Sequence, residues 1–149
     1  MSDLLHYEDV NVGLAFDTGG IVITEAHIVQ FAGLSGDFFD LHMDDAYARE
    51  LGFPGRVAHG LLGLAMVDGL KNRAVQRFAS VASLHWDWSF RGPIFVNDRL
   101  HARVEVADKR PTAKGDRGIL TLRITAFNQS DTVVQEGTNL LLVKMRETA

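Results

Sequence analysis

The sequence predicts an α+β fold in which an antiparallel sheet curls around one long central helix. Two observations predict it. A nearly all-apolar stretch lies in the middle of the chain, from about His59 to Arg77. From Ser80 onward, apolar and polar residues alternate with a period of two in successive runs, and no helical pattern separates them. Strand runs that follow one another in this way form antiparallel sheets with one buried face.

The first elements of the chain are short. Ile21–Ile23 is a candidate strand. Thr24 is a good N-cap residue and predicts a helix that runs to about Ala32. Gly33 and Gly36 are expected to end this helix.

A second short helix is predicted next. Asp44 and Asp45 favour its first turn, where a carboxylate interacts well with the helix dipole. Gly52 is expected to close it, and Pro54-Gly55 is typical of a turn.

The central helix is predicted from about His59 to Arg77 and is apolar on all sides, so most of its faces should be buried. Gly60, Gly63 and Gly69 weaken it intrinsically, which indicates close packing against another element.

Four strand runs follow. In the first run the residues expected on the buried face are Ala82, Leu84, Trp86, Trp88 and Phe90. The second and third runs bury alternate residues over Leu100–Val106 and Leu120–Ala126, and Val133–Val143 supplies the last strand.

Composition limits the function classes. The 149 residues predict a single domain over 1–149, with ordinary hydrophobic (46%) and charged (23%) fractions. A net charge of −4 argues against nucleic-acid binding, and the absence of cysteine excludes thiolate chemistry. The first residues lack the pattern of a signal peptide, and no run is long enough to span a membrane, so a cytoplasmic protein is expected.

Asp37 and His42 are the candidate acid–base pair. They lie five positions apart in a glycine-rich, interrupted segment. General acid–base catalysis needs titrating groups within reach of one proton, and a histidine titrates near neutral pH without further tuning. A turn-capping aspartate and a loop histidine would give the same spacing, so the pattern alone leaves both interpretations open.

His59-Gly60 is the second candidate functional motif. A glycine at a helix start exposes backbone N–H groups that suit a developing oxyanion, although it can equally serve close packing. A metal site is not expected, because the acidic residues around His42 match no metal-binding spacing.

Taken in order, these motifs resemble the MaoC-like dehydratase family, which includes the R-specific enoyl-CoA hydratases. The similarity runs through Thr24–Ile28, Phe31–Asp37, Leu41–Asp44 and Gly55–Leu62, and more loosely through Phe90–Leu100. The resemblance implies a hot-dog fold, at least a homodimer, no cofactor, and reversible hydration of a trans-2-enoyl-CoA to a 3-hydroxyacyl-CoA with R stereochemistry. It also implies that Asp37 and His42 activate water, while Gly60 of the His59-Gly60 motif binds the thioester oxygen.

The chain departs from the commonest hydratase pattern at three positions. Phe39-Asp40 stands where that pattern has Asn-Pro, and Ala65 stands where many members carry a serine. These changes leave the preferred acyl group open.

Coenzyme A carries phosphate groups, so some basic residues should line its approach. Arg49, Arg56, Arg73 and Arg91 are the available cations for them, although Arg56 is expected to be a solvated turn residue. Two alternative functions stay open: a hot-dog thioesterase and a non-catalytic acyl-CoA-binding subunit.

Overall fold

A helix packed across an antiparallel sheet forms the centre of the molecule. The computed structural model describes residues 4–147. The strands are β1 (Ala15–Asp17), β2 (Ile21–Val22), β3 (Ser80–Phe90), β4 (Arg99–Pro111), β5 (Arg117–Phe127) and β6 (Val133–Lys144). The helices are α1 (Glu25–Ser35), α2 (Asp40–Met43), α3 (Asp45–Glu50) and α4 (Gly60–Asn72), and a 3₁₀ turn covers Tyr7–Asp9.

The sheet has the strand order β1-β4-β5-β6-β3, and β2 pairs with β4 beside this path. All pairings are antiparallel. Strands β4, β5 and β6 carry the core, and their buried side chains alternate as the sequence predicts. The α+β prediction, a sheet around a central helix, is confirmed. That the chain forms a single domain stays a prediction.

Strand β3 differs from its prediction. Leu84 is 50% exposed and Phe90 is 54% exposed, and Ala82 is exposed as well, so the expectation of a buried face is wrong at these positions. Two register shifts against β6 interrupt the alternation, and β3 lies at the edge of the sheet. Trp86 and Trp88 are partly buried against the core.

Helix α4 is shorter than predicted. It ends at Asn72, and a turn follows in which the N–H of Ala74 donates to the carbonyl of Lys71 at 3.3 Å. Leu5 accepts the N–H of Ala79 and donates its own N–H to the carbonyl of Arg77, both at 2.8 Å. Leu61 is 61% exposed, so one side of α4 is open, whereas most residues of the helix are buried or partly buried, as expected.

Helix α1 extends past its predicted end. Its N-cap is Thr24, as predicted, with the Thr24 hydroxyl accepting from the N–H of His27. The helix runs on to Ser35, so Gly33 lies inside it. Gly36 ends it with a positive φ of 78°, a conformation that favours glycine. Among the helices of residues 4–147, none is long and apolar enough to cross a membrane.

Candidate active site

Asp37 lies just beyond the C-terminus of α1, in the turn that Gly36 opens. Its carboxylate Oδ1 accepts the N–H of Phe39 at 3.2 Å, and its own N–H donates to the Ser35 hydroxyl at 3.2 Å. These contacts fix the turn on both sides of the residue. The side chain stays 51% exposed, so its second oxygen, Oδ2, remains accessible.

His42 lies in the single turn of α2 and is buried. Its Nδ1–H donates to the carbonyl oxygen of Val57 at 2.7 Å, which leaves the lone pair on Nε2. That Nε2 atom lies 3.7 Å from Asp37 Oδ2. The two acceptors are too far apart for a direct hydrogen bond, and one water molecule can donate a proton to each of them. Asp40 is exposed at the start of α2.

His59 connects the two candidate catalytic groups. Its ring is 2% exposed and stacks on the His42 ring at 3.8 Å, with 26° between the planes. Its Nε2–H donates to the backbone carbonyl of Asp37 at 2.8 Å. Nδ1 of His59 is buried and has no hydrogen-bond partner among residues 4–147. The ring therefore contacts His42 on one face and the Asp37 backbone at its edge.

Gly60 begins α4 next to this cluster. No acceptor for its N–H lies within residues 4–147, as expected for the first turn of a helix, and the first turn carries no acidic residue. A Cβ at this position would lie 2.7 Å from the ring of Phe90, so the close approach of that ring requires glycine here.

A cavity of about 300 Å³ opens beside His42 and Gly60. Most of its lining is apolar, and His42 and Gln135 are the polar side chains among its lining residues. The lining residues are Leu41, His42, Val57, Ala58, Gly60, Leu61, Phe90, Gly92, Pro93, Ile94 and Gln135. An apolar cavity with a base and a helix N-terminus at its wall suits an acyl group that carries a reactive carbonyl.

A second groove of about 360 Å³ lies on the sheet, near β3, β5 and β6. Each of its two arginines has a carboxylate partner. Arg91 pairs with Glu136 at 3.0 Å, and Arg123 lies 3.5 Å from Glu105. This groove has neither an apolar lining for an acyl chain nor the acid–base cluster, so we assign the chemistry to the cavity beside His42.

The candidate phosphate-binding arginines fall into two groups. Arg56 is 11% exposed and pairs with Glu25 at 3.0 Å and with Asp45 at 3.5 Å, so the expectation of a solvated turn residue is wrong. Its guanidinium instead ties α1 to α3. Arg49 and Arg73 are exposed.

Asp37, His42 and His59 also bring possible metal-ligand atoms within 4.8 Å of one another. Their orientation does not suit a shared ion. The two rings stack nearly parallel, so their in-plane lone pairs run side by side instead of converging, and each ring already donates to a backbone carbonyl. That the site uses no metal and no cofactor stays a prediction.

Sequence reasoning missed Gln135, which follows Val133 and Val134 in β6 and precedes Glu136. Its side chain is 1% exposed and bridges α4 and β3. A polar residue on the buried face of a strand is the signal that could have found it, because a buried amide needs partners.

Comparison with known proteins identifies the family and agrees with the fold. A family model described as "MaoC like domain" matches residues 10–127. The (R)-specific enoyl-CoA hydratase of Aeromonas caviae is 34% identical over 112 residues, which cover 75% of this chain and 80% of that protein. The crystal structure of the MaoC-like dehydratase from Rhodospirillum rubrum matches with a TM-score of 0.86 and 29% identity, over 97% of this chain and 99% of the other. A Mycobacterium tuberculosis protein described as a double hotdog fold matches with a TM-score of 0.82 at 22% identity, over 98% of this chain and 46% of the other, which supports the hot-dog fold alone.

Proposed function

We propose that this chain, which belongs to the MaoC-like dehydratase family, is a hydro-lyase that reversibly adds water to a trans-2-enoyl-CoA and forms the (R)-3-hydroxyacyl-CoA. The observation that carries the proposal is the pairing of Asp37 Oδ2 with His42 Nε2, 3.7 Å apart, next to an apolar cavity. Two acceptors at this spacing suit one activated water.

In the proposed reaction, water lies between Asp37 and His42 and donates one proton towards each. Its oxygen bonds to the β-carbon of the enoyl group while one of its protons passes to the pair. The electron pair of the double bond moves towards the thioester carbonyl and gives an enolate. A proton from the pair then bonds to the α-carbon, so that water has been added across the double bond.

The enolate oxygen needs hydrogen-bond donors, and we propose the N–H of Gly60 for this role. The N-terminus of α4 adds the positive end of the helix dipole. One well-placed donor of this kind is worth about 3 kcal/mol of transition-state stabilisation. We further propose that His59 serves this site as a positioning residue, through its stacking on His42 and its hydrogen bond to the Asp37 carbonyl.

We propose a homodimer as the active form. Within residues 4–147, β3 has a partner strand on one side only, and Val81, Leu84 and Phe90 are each about half exposed along it. A long apolar edge strand promotes uncontrolled association unless it is covered. A second copy of the chain, related by a two-fold axis, would cover the same surface on both subunits. A cytoplasmic location stays a prediction.

The deciding experiment follows the loss of enoyl absorbance with a panel of linear and branched trans-2-enoyl-CoA thioesters, and runs a thiol-release assay in parallel. The variants are Asp37→Asn and His42→Ala, each checked for folding by circular dichroism. We expect hydration by the wild-type protein and a loss of at least about 10²-fold in both variants.

Other outcomes would overturn the proposal. Release of free coenzyme A without hydration would identify a thioesterase. Tight binding of the enoyl-CoA with no turnover in either assay would identify an acyl-binding protein. Full hydration activity in either variant would remove that residue from the proposed acid–base pair.

A further inference from the structure

We infer that Gln135 is a positioning residue that fixes the first turn of α4 and, through it, the backbone donors offered to the thioester oxygen. The inference rests on the proposed function for its chemical meaning. Its structural basis is a chain of hydrogen bonds that runs from the edge strand through Gln135 to Gly60.

Gln135 uses both ends of its amide. Its Nε2–H donates to the carbonyl oxygen of Gly60 at 3.0 Å, and its Oε1 accepts the indole N–H of Trp88 at 2.9 Å. The side chain is 1% exposed, so water cannot replace either bond at low cost. The indole bond also fixes which end of the amide is oxygen, because an indole nitrogen can only donate.

Gly63 makes this bridge possible. A Cβ at Gly63 would lie 2.9 Å from Cδ of Gln135 and 2.9 Å from Cδ1 of Ile94, and it would overlap Nε2 of Gln135. Because Gly63 has no side chain, the amide of Gln135 can lie directly on the helix backbone. This glycine therefore weakens the helix but admits the group that anchors its first turn.

Gly60 needs such an anchor for a physical reason. Phe90 leaves no room for a side chain at this position, and a glycine has more backbone freedom than any other residue. The bond from Gln135 holds the carbonyl of the peptide between Gly60 and Leu61. Because that peptide is planar and trans, the N–H of Leu61 is fixed in the opposite direction. The N–H of Gly60 itself belongs to the preceding peptide, so the bond from Gln135 acts on it by limiting rotation about the backbone bonds of Gly60. Preorganisation of donors in this way is where oxyanion stabilisation gains most of its strength.

Three variants test the inference. Gln135→Leu removes both hydrogen bonds at nearly constant volume, and Trp88→Phe removes the indole donor together with part of the ring. The matched control is Asn139→Leu, which removes another buried amide from β6. Asn139 bonds to Lys71, Ser83 and the His85 carbonyl, away from Gly60.

The first readout is hydration of crotonyl-CoA. For Gln135→Leu we expect kcat to fall about tenfold or more, with KM changed less than about threefold and the pH profile of kcat unchanged, because the acid–base pair is intact. Trp88→Phe should give a smaller fall in kcat in the same direction. Asn139→Leu should lower stability and leave kcat within about twofold. An equal fall in kcat for Gln135→Leu and Asn139→Leu would reduce Gln135 to a structural residue and overturn the inference.

The second readout does not depend on activity. The chain has two tryptophans, so its two indole N–H signals can be assigned by NMR from Trp88→Phe. Gln135→Leu should shift the Trp88 indole signal. It should also speed amide hydrogen exchange at Gly63, whose N–H donates to the His59 carbonyl at 3.2 Å across the first turn, by about tenfold or more relative to Asn139→Leu. Unchanged exchange would overturn the inference. If the wild-type protein hydrates no enoyl-CoA, the proposed function fails, and this exchange measurement still decides whether Gln135 fixes the turn.

Discussion

Gly63 and Gly69 lie in the same helix, and substitution of each by alanine should change stability in opposite directions. Alanine is favoured over glycine in a helix by about 1 kcal/mol, so propensity alone predicts stabilisation at both positions. At Gly69 the new Cβ would meet only Arg73 Nη1, at 3.6 Å, which is an ordinary contact. Gly69→Ala should therefore raise the free energy of unfolding by about 0.5–1 kcal/mol.

At Gly63 the same methyl group meets fixed neighbours. Gln135 is held at both ends of its amide, and Ile94 is 3% exposed, so neither can move into solvent. Overpacking of this kind costs about 1–3 kcal/mol, and a buried amide left without a partner costs about 1–3 kcal/mol more. After the gain of about 1 kcal/mol from helix propensity, Gly63→Ala should lower the free energy of unfolding by about 1–5 kcal/mol.

Equilibrium urea unfolding of both variants and the wild-type protein would measure these changes. All samples need the same chain concentration, because the stability of an oligomer depends on it. Unchanged m-values would show that the free energies are comparable. A Gly63→Ala variant at least as stable as Gly69→Ala would refute the packing argument at Gly63, and with it the claim that Gln135 is rigidly held.

Three further predictions concern His59, the exposed strand β3 and the ion pair of Asp9. His59→Phe keeps a ring against His42 but loses the hydrogen bond to the Asp37 carbonyl. The kcat for crotonyl-CoA hydration should therefore fall about 10- to 100-fold, while the circular dichroism spectrum stays unchanged. A variant with the kcat of the wild-type protein would contradict a positioning role. Leu84→Lys should shift the molar mass measured by light scattering towards that of the monomer. The control Val75→Lys changes a more exposed apolar residue outside β3 and should leave the molar mass unchanged. A dimer in both variants would exclude β3 as the interface. The hydrogen bond from Arg146 lowers the pKa of Asp9, and the His6 N–H contributes less. The ionised carboxylate therefore stabilises the fold above its ordinary pKa, and this stabilisation is lost as the pH falls through the lowered pKa. The Tm of Arg146→Ala should be lower than that of the wild type at pH 7 and should approach it in acid; a Tm difference that does not change with pH would contradict the prediction.

The local patterns of the sequence were sufficient for most of the fold. Strands β4, β5 and β6 are each paired within the sheet, so their alternation survives in the structure and the prediction was right there. The pattern failed in β3, because the burial of Leu84 and Phe90 depends on what lies beyond the sheet edge and on bulges that the sequence does not mark. It failed again after Asn72, where bends replace the predicted last turns of α4 and Arg77 bonds instead to Leu5, a residue distant in sequence.

The candidate site shows the same division between local and distant information. Asp37, His42, His59 and Gly60 could be identified from short motifs, because turn chemistry and a helix start are local. The partners that orient them are distant: the carbonyl of Val57 for His42, and the Gln135 amide for Gly60. Pairings across such separations leave no pattern in a single sequence.

The hydrogen-bond partner of His42 also determines which negative charge lies near its ring. A histidine that donates to a carboxylate gains a negative charge behind its ring, but His42 donates to the neutral carbonyl of Val57. The negative charge nearest its free Nε2 is therefore Asp37 Oδ2, on the side where the water would lie. In the proposed reaction Asp37 serves both as an acceptor for the water and as the charge that stabilises a protonated His42. Asp37→Asn can keep an oxygen at Oδ1 for the Phe39 N–H, but it places an NH2 donor where Oδ2 faces His42, so it removes the charge and the water acceptor together. A loss of activity in this variant with unchanged substrate binding would identify this charged oxygen as the essential contribution of Asp37.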